Sequence, residues 1–238
     1  MPHDLTILPP KKKDNKAKYK HLHSHLLQPS FNAIFVAPTA CGKSTTILNL
    51  LMNDNFYKGV FDKVYYFSPS VNLDLTLKAI EEDEDIIKFS EDEELSNADE
   101  ILKAIVESQK EKKEEGEKVE DILIVFDDMI NYLSNNSFIG SLFTKSRHFN
   151  ITVWLTSQNY RSIPVKCRNN SQMILIYKLY NGQEVDKLEE EIGCNYPDFR
   201  KYYEEATKEK YHFLYLNLRD MKMYKNFTEL LWSKSENY

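Results

Sequence analysis

The sequence predicts an α/β protein with a mostly parallel central sheet flanked by helices, on three observations. A short apolar run at 31–37 stops at a Pro-containing loop and gives way to helix-compatible apolar spacing over 44–52. A second run, Ile122-Leu123-Ile124-Val125-Phe126, is apolar at every position rather than at alternate ones. Strand-like and helix-like stretches then alternate along the chain. Strands without a polar face are buried on both sides, as in a parallel sheet covered by helices.

At 238 residues the chain is long enough for one well-packed domain and short for two. Hydrophobic residues make up 42% and charged residues 29%, and no apolar run approaches the roughly 20 residues that cross a bilayer, so no membrane span is expected. The start of the chain is polar and then basic (Lys11, Lys12, Lys13), unlike a secretory signal. Cys41, Cys167 and Cys194 are far apart and form no CxxC pair, which supports neither a disulfide framework nor a zinc cluster. A cytosol-like compartment is expected. The net charge is -6, but residues 81–120 hold 17 acidic and 6 basic side chains, so the remainder of the chain is net basic. A DNA-facing surface is therefore permitted.

In order, residues 1–30 are a Lys- and His-rich arm with Pro2, Pro9 and Pro10, and one folded domain is expected over 31–238. The alternating His21, His23 and His25 read as solvated side chains of that arm. Strand 31–37 and helix 44–52 come next, then a strand at 64–67 ended by Ser68-Pro69-Ser70. The acid-rich segment 80–120 reads as a solvated helix face and a loop, with a helix over 98–108 and an exposed connection over 109–120 around Gly116. Strand 122–126, helix 138–145 and strands 151–156 and 173–177 follow. Runs at 211–218 and 221–227 around Arg219-Asp220 suggest a C-terminal β-hairpin that extends the sheet. There is no internal repeat.

Ala37-Pro38-Thr39-Ala40-Cys41-Gly42-Lys43-Ser44 fits GxxxxGK[ST], with alanine at the first glycine position, and Thr45 continues it into the helix. Between a strand and a helix, such a loop turns its backbone N–H groups and the positive end of the helix toward phosphates. Gly42 allows close approach, Lys43 reaches the terminal phosphates and the Ser44 hydroxyl is a ligand for Mg2+. Cys41, at a helix N-terminus where a thiol pKa can fall, reads more simply as a small loop filler.

Asp127 and Asp128 end the most apolar strand, where ligands meet the carboxyl ends of parallel strands. This is a Walker B pattern: Asp127 is expected to hold Mg2+, and Asp128 to polarise the attacking water. The strand at 151–156 runs into Ser157-Gln158, and Gln158 is the candidate sensor of the terminal phosphate. Arg147, before that strand, is the candidate arginine finger for a neighbouring subunit, with Arg161 and Arg168 as competitors.

Together APTACGKST, ILIVFDDM and LFTKSRHFNITVWLTSQNYRSIPVKCRNN resemble the genome-packaging ATPases of large DNA viruses and virophages, the poxvirus-type branch of the FtsK/HerA superfamily. The long run is the most specific piece, carrying Arg147-His148, Ser157-Gln158, Ile163-Pro164 and Arg168. The resemblance implies a P-loop NTPase of RecA/ASCE-like fold, Mg-dependent hydrolysis of ATP, and a homo-oligomeric ring. It further implies that the ring translocates double-stranded DNA into a preformed capsid through contacts with capsid or portal-like vertex proteins. The place of work would be the assembly site in the host cytoplasm, or the virion. Ala37 and Ala40 depart from the glycines common in the family. The competing readings are a P-loop nucleoside or nucleotide kinase, which needs neither a second acid nor a Ser-Gln strand end, and a DNA-binding scaffold with a relict nucleotide site. Intact Lys43, Ser44, Asp127 and Asp128 argue against decay.

Overall fold

A computed structural model describes residues 19, 21–72, 80, 83–132 and 138–234. Its strands, in chain order, are β1 (Asn32–Val36), β2 (Lys63–Phe67), β3 (Ile86–Phe89), β4 (Ile122–Phe126) and β5 (Ile151–Ser157), then β6 (Met173–Tyr177), β7 (Phe213–Asn217), β8 (Lys222–Lys225) and β9 (Glu229–Ser233). They form one sheet in the order β3-β2-β4-β5-β1-β6-β7-β8-β9. Strands β1 to β6 run parallel, and β7, β8 and β9 add antiparallel to the β6 edge.

The two apolar strands that carry the sequence motifs, β1 and β4, are not neighbours. Strand β5 lies between them, with Ile34 opposite Leu155 on one side and Phe126 opposite Leu155 on the other. All three are buried at every residue, which is why their sequences lack a polar alternation.

Side chains alternate across this sheet and divide the core in two. Ile34, Val36, Ile124, Phe126 and Leu155 face helices α3 (Ala98–Glu114), α4 (Phe138–Lys145), α6 (Gly182–Glu191) and α7 (Phe199–Ala206). On the other face, Ala33, Phe35, Leu123, Val125 and Trp154 pack with Ile47, Leu50 and Leu51 of α1 (Lys43–Met52). Each buried Leu, Ile or Phe side chain contributes about 1.5–3 kcal/mol relative to exposure, so both layers hold the strands in register. Two short helices, α2 (Asp92–Ser96) and α5 (Val165–Asn169), complete the described elements. Among the described residues no helix is long and apolar enough to cross a membrane.

The structure differs from the sequence expectation in several places. Tyr19, Leu22, Leu26 and Leu27, read as part of an arm, are buried in the α1 layer, and the Tyr19 hydroxyl donates to Asp121 at 2.7 Å. The expected exposed connection over 109–120 begins as helix, since α3 runs on to Glu114. Glu and Lys are good helix formers even without an apolar stripe, and Lys112 and Lys113 in the last turn suit the helix dipole. Buried Gln109 ties this extension down, donating to the carbonyls of Glu120 and Phe149 at 2.7 and 2.8 Å. The C-terminal hairpin is present as β7 and β8, and gains a third strand, β9.

Candidate functional site

The phosphate loop begins as a continuation of β1: Ala37 N–H donates to the Ser157 carbonyl at 3.0 Å, as a further rung of the β1–β5 ladder. Alanine at the first glycine position therefore costs nothing in backbone terms. The left-handed residues lie further on, at Ala40 (φ 61°) and Gly42 (φ 90°). A side chain at Ala40 carries the penalty of that conformation, about 1–2 kcal/mol. At Gly42 the lack of one is needed twice, since a Cβ there would also approach Tyr211 Cδ1 to 3.2 Å. Helix α1 starts at Lys43, directly after this turn.

Lys43, 9% exposed, sends its ammonium across the end of β5 to both acids that follow β4. Its Nζ lies 2.9 Å from Asp127 Oδ1 and 2.5 Å from Asp128 Oδ2. Between them stands Thr156, fully buried. Its hydroxyl donates to Asp127 Oδ1 at 2.7 Å and accepts from Lys43 Nζ at 3.2 Å and from the Asp128 N–H at 3.0 Å. The second Asp127 oxygen accepts from the buried Tyr66 hydroxyl at 2.9 Å. Asp127 is thus fixed on both oxygens. Asp128 differs: its backbone is left-handed (φ 55°) and its side chain is 33% exposed, which turns the carboxylate out of the strand into the cleft.

Lys43, Asp127 and Asp128 line one cavity of about 530 Å3, together with Pro38, Thr39, Ser44, Thr45, Ser70, Gln158 and Tyr211, while Thr156 and Tyr66 support the acids from beneath its floor. Gln158 is exposed and accepts from the Thr39 hydroxyl at 3.4 Å, a long contact that leaves its amide free to turn toward a ligand. Cys41 faces away into a neighbouring cavity near Tyr180. Burial pushes its thiol up from the ordinary value, outweighing a hydrogen bond with Tyr180 and the nearby Lys210 charge. The phenol of Tyr177, also pushed up by burial, stays neutral and shares a 2.6 Å hydrogen bond with the Thr46 hydroxyl.

The three arginines separate clearly. Arg168 is held inside the chain, donating to Glu191 Oε1 at 3.1 Å with its guanidinium 5.1 Å from the Tyr160 ring centroid. Arg161 bonds Gln183 at 2.9 Å. Arg147 is exposed in the 3-10 turn Ser146–Phe149, at the start of β5 and so at the opposite end of the parallel strands from the phosphate loop. Sequence reasoning missed Thr156, Tyr66 and Tyr211. For Thr156 the sequence offers only a hydroxyl near the end of a buried strand that also holds Thr152 and Ser157; the pairing, one step beyond Leu155–Phe126, sets it level with Asp127.

A glycine-hinged loop over a helix N-terminus, its lysine engaged by paired strand-end acids across an intervening parallel strand, defines the chain as a P-loop NTPase with a mixed central sheet. A sequence profile of the Poxvirus A32 protein family matches residues 18–191, and the chain belongs to that family. No curated protein is similar in sequence. The fold is shared with the genome packaging NTPase B204 of Sulfolobus turreted icosahedral virus 2, solved with ATP-gammaS: 13% identity, TM-score 0.58, covering 86% of this chain and 100% of that one. It is shared also with the pCW3 conjugation coupling protein TcpA (14%, TM-score 0.53, 86% of this chain and 59% of that one). ATPases 2 and 3 of EssC from Geobacillus thermodenitrificans are similar over 68% of this chain and 34% of theirs, at 19% identity and a TM-score of 0.52.

Proposed function

We propose that the chain is a Mg-dependent ATPase that drives viral genome packaging, acting as a homo-oligomeric ring that moves double-stranded DNA into a preformed capsid at a portal-like vertex. The observation that carries the catalytic part is the convergence of Lys43, Asp127 and Asp128 on the Thr156 hydroxyl. Membership of the A32 family and the fold shared with a packaging NTPase support the motor part. The proposed place of work is the assembly site in the host cytoplasm, or the virion.

The oxygen donors fit a hard divalent cation: the Ser44 hydroxyl and the Asp127 and Asp128 carboxylates share the cavity in which the two acids already bridge one ammonium. Bound there by Ser44 and Asp127, Mg2+ would neutralise the charge of the β- and γ-phosphates. The loop N–H groups cradle the phosphates, for which Lys43 exchanges its carboxylate partners. Asp128, released and half open to the cleft, orients and polarises the attacking water. Gln158, at the end of β5, contacts the terminal phosphate. Asp127 stays fixed by Tyr66 and Thr156, so hydrolysis alters the ligand side of the site and not its floor.

Arg147 serves in this reading as a finger from a neighbouring subunit, since Arg161 and Arg168 are engaged within the chain. A ring sets each nucleotide site against its neighbour, which gives an arginine at the far end of the strands something to reach. Mixing Arg147→Ala with Lys43→Ala subunits is expected to restore part of the activity that each lacks alone; no recovery at any ratio would count against the finger.

The steady-state ATPase rate with Mg2+, measured with and without double-stranded DNA across a salt series, tests the whole proposal. Stimulation that fades as salt rises is expected of a motor that grips DNA phosphates. Phosphoryl transfer to a nucleoside monophosphate, with no response to DNA, would establish the kinase reading instead.

A further inference from the structure

A second cavity, of about 230 Å3, adjoins the phosphate cavity on the opposite flank of the loop, where β6 ends and β7 begins. Ala40 and Tyr211 line both. The groups that act on a terminal phosphate, Lys43, Asp127, Asp128 and Gln158, all border the first cavity, on the β4–β5 flank. A nucleotide laid across the N-terminus of α1 with its γ-phosphate toward those groups must send its sugar and base the other way. That direction leads past Tyr211 into the second cavity.

Two of the large side chains most exposed in the structure stand there, Tyr180 at 82% and Tyr211 at 55%. Tyr211 is left-handed (φ 69°), lies against Gly42, and has Lys210 Nζ 4.7 Å from its ring centroid. Its half-exposed ring thus stands in the wall between the cavities. Tyr180 presents its ring to open space beside Cys41. Water is poor company for a tyrosine face, and a heteroaromatic base is good company.

We propose that this cavity is the nucleoside subsite, with the base stacked on Tyr180 and Tyr211 forming the partition between base and phosphates. The proposal rests on the reading of the loop as an ATP site and extends it to residues outside the phosphate motif. Stacking is tolerant of base identity, so the subsite adds affinity for nucleotides over bare polyphosphate without choosing strongly among bases.

The test compares two ligands, ATP and inorganic tripolyphosphate with Mg2+, by titration calorimetry on the full chain and its variants. Wild type is expected to prefer ATP. Tyr180→Ala, at a position exposed enough to leave folding intact, is expected to weaken ATP roughly tenfold and leave tripolyphosphate unchanged, while Tyr180→Phe keeps wild-type affinity for both. Equal weakening of both ligands in Tyr180→Ala, or unchanged ATP affinity in it, overturns the subsite. Wild type that binds tripolyphosphate as tightly as ATP overturns the subsite and leaves the phosphate site standing. Wild type that binds neither overturns the ATP reading together with it.

Discussion

The two flanks of the phosphate loop are built on opposite principles. On the β4–β5 side Thr156 is fully buried, Asp127 is 2% exposed and Lys43 is 9% exposed, and each is held by at least two polar partners. On the β6–β7 side Tyr180, Tyr211 and Lys210 stand at the surface with few constraints. The contrast teaches where positional accuracy is needed. Charges that must meet a reacting phosphate gain from a low-dielectric setting, where each interaction is stronger and misplacement is costly. A surface on which a ligand need only lie gains from being open.

The largest expected break in this contrast is Lys43→Ala, which leaves two carboxylates facing one another and no cation for the phosphates. ATP affinity should fall by more than about 100-fold by calorimetry, as expected for loss of a charge-assisted contact to phosphate; a fall of less than threefold would remove Lys43 from its role. Next comes Asp128→Asn, which keeps the shape of the cleft and removes the carboxylate. Its ATP affinity should stay near wild type while kcat drops roughly 10²-fold or more, and equal turnover in the two proteins would sink the assignment.

Thr156→Val sharpens the comparison by removing one hydroxyl from the buried hub. Lys43 and the Asp128 N–H lose an acceptor there, so unfolding in denaturant should show a loss of about 1–3 kcal/mol, with kcat down roughly tenfold. The smallest effect concerns Cys41 on the open flank. A thiol pKa raised by burial means less thiolate at pH 8 than in a free cysteine, so alkylation by iodoacetamide should be a few-fold slower than for a free thiol. Faster alkylation than the free thiol would show that the helix terminus, and not burial, governs this residue.

Much of the buried flank was legible in the sequence because burial leaves a pattern. Strands β1, β4, β5 and β6 are apolar runs, and the loop and the paired acids follow them at fixed offsets. Strand β3 was missed: it has four residues, only Ile86 is buried, and it lies in the acid-rich stretch. Strand β9 was missed for a related reason, as an edge strand without a buried residue. Helices α6 and α7 bury few side chains each and read as polar sequence. In the site, Gln158 drew attention as the polar strand end, whereas Thr156 does the holding. Its importance depends on β5 lying between β1 and β4, a strand order that local pattern does not encode. Tyr211 was hidden for the same reason, since only the pairing of β6 with β7 brings it beside Gly42.

The placement of β5 between the two motif strands also bears on how the chain acquires its function. Lys43 and Thr156 are separated by 113 residues, so their contact closes only after the centre of the sheet has assembled. No early folding species that contains the loop and α1 alone can form the complete site. A ligand that engages both sides of it should therefore bind the finished topology and stabilise it by mass action, making nucleotide a fastening for the middle of the sheet, and resistance of the central strands to proteolysis a readout of occupancy.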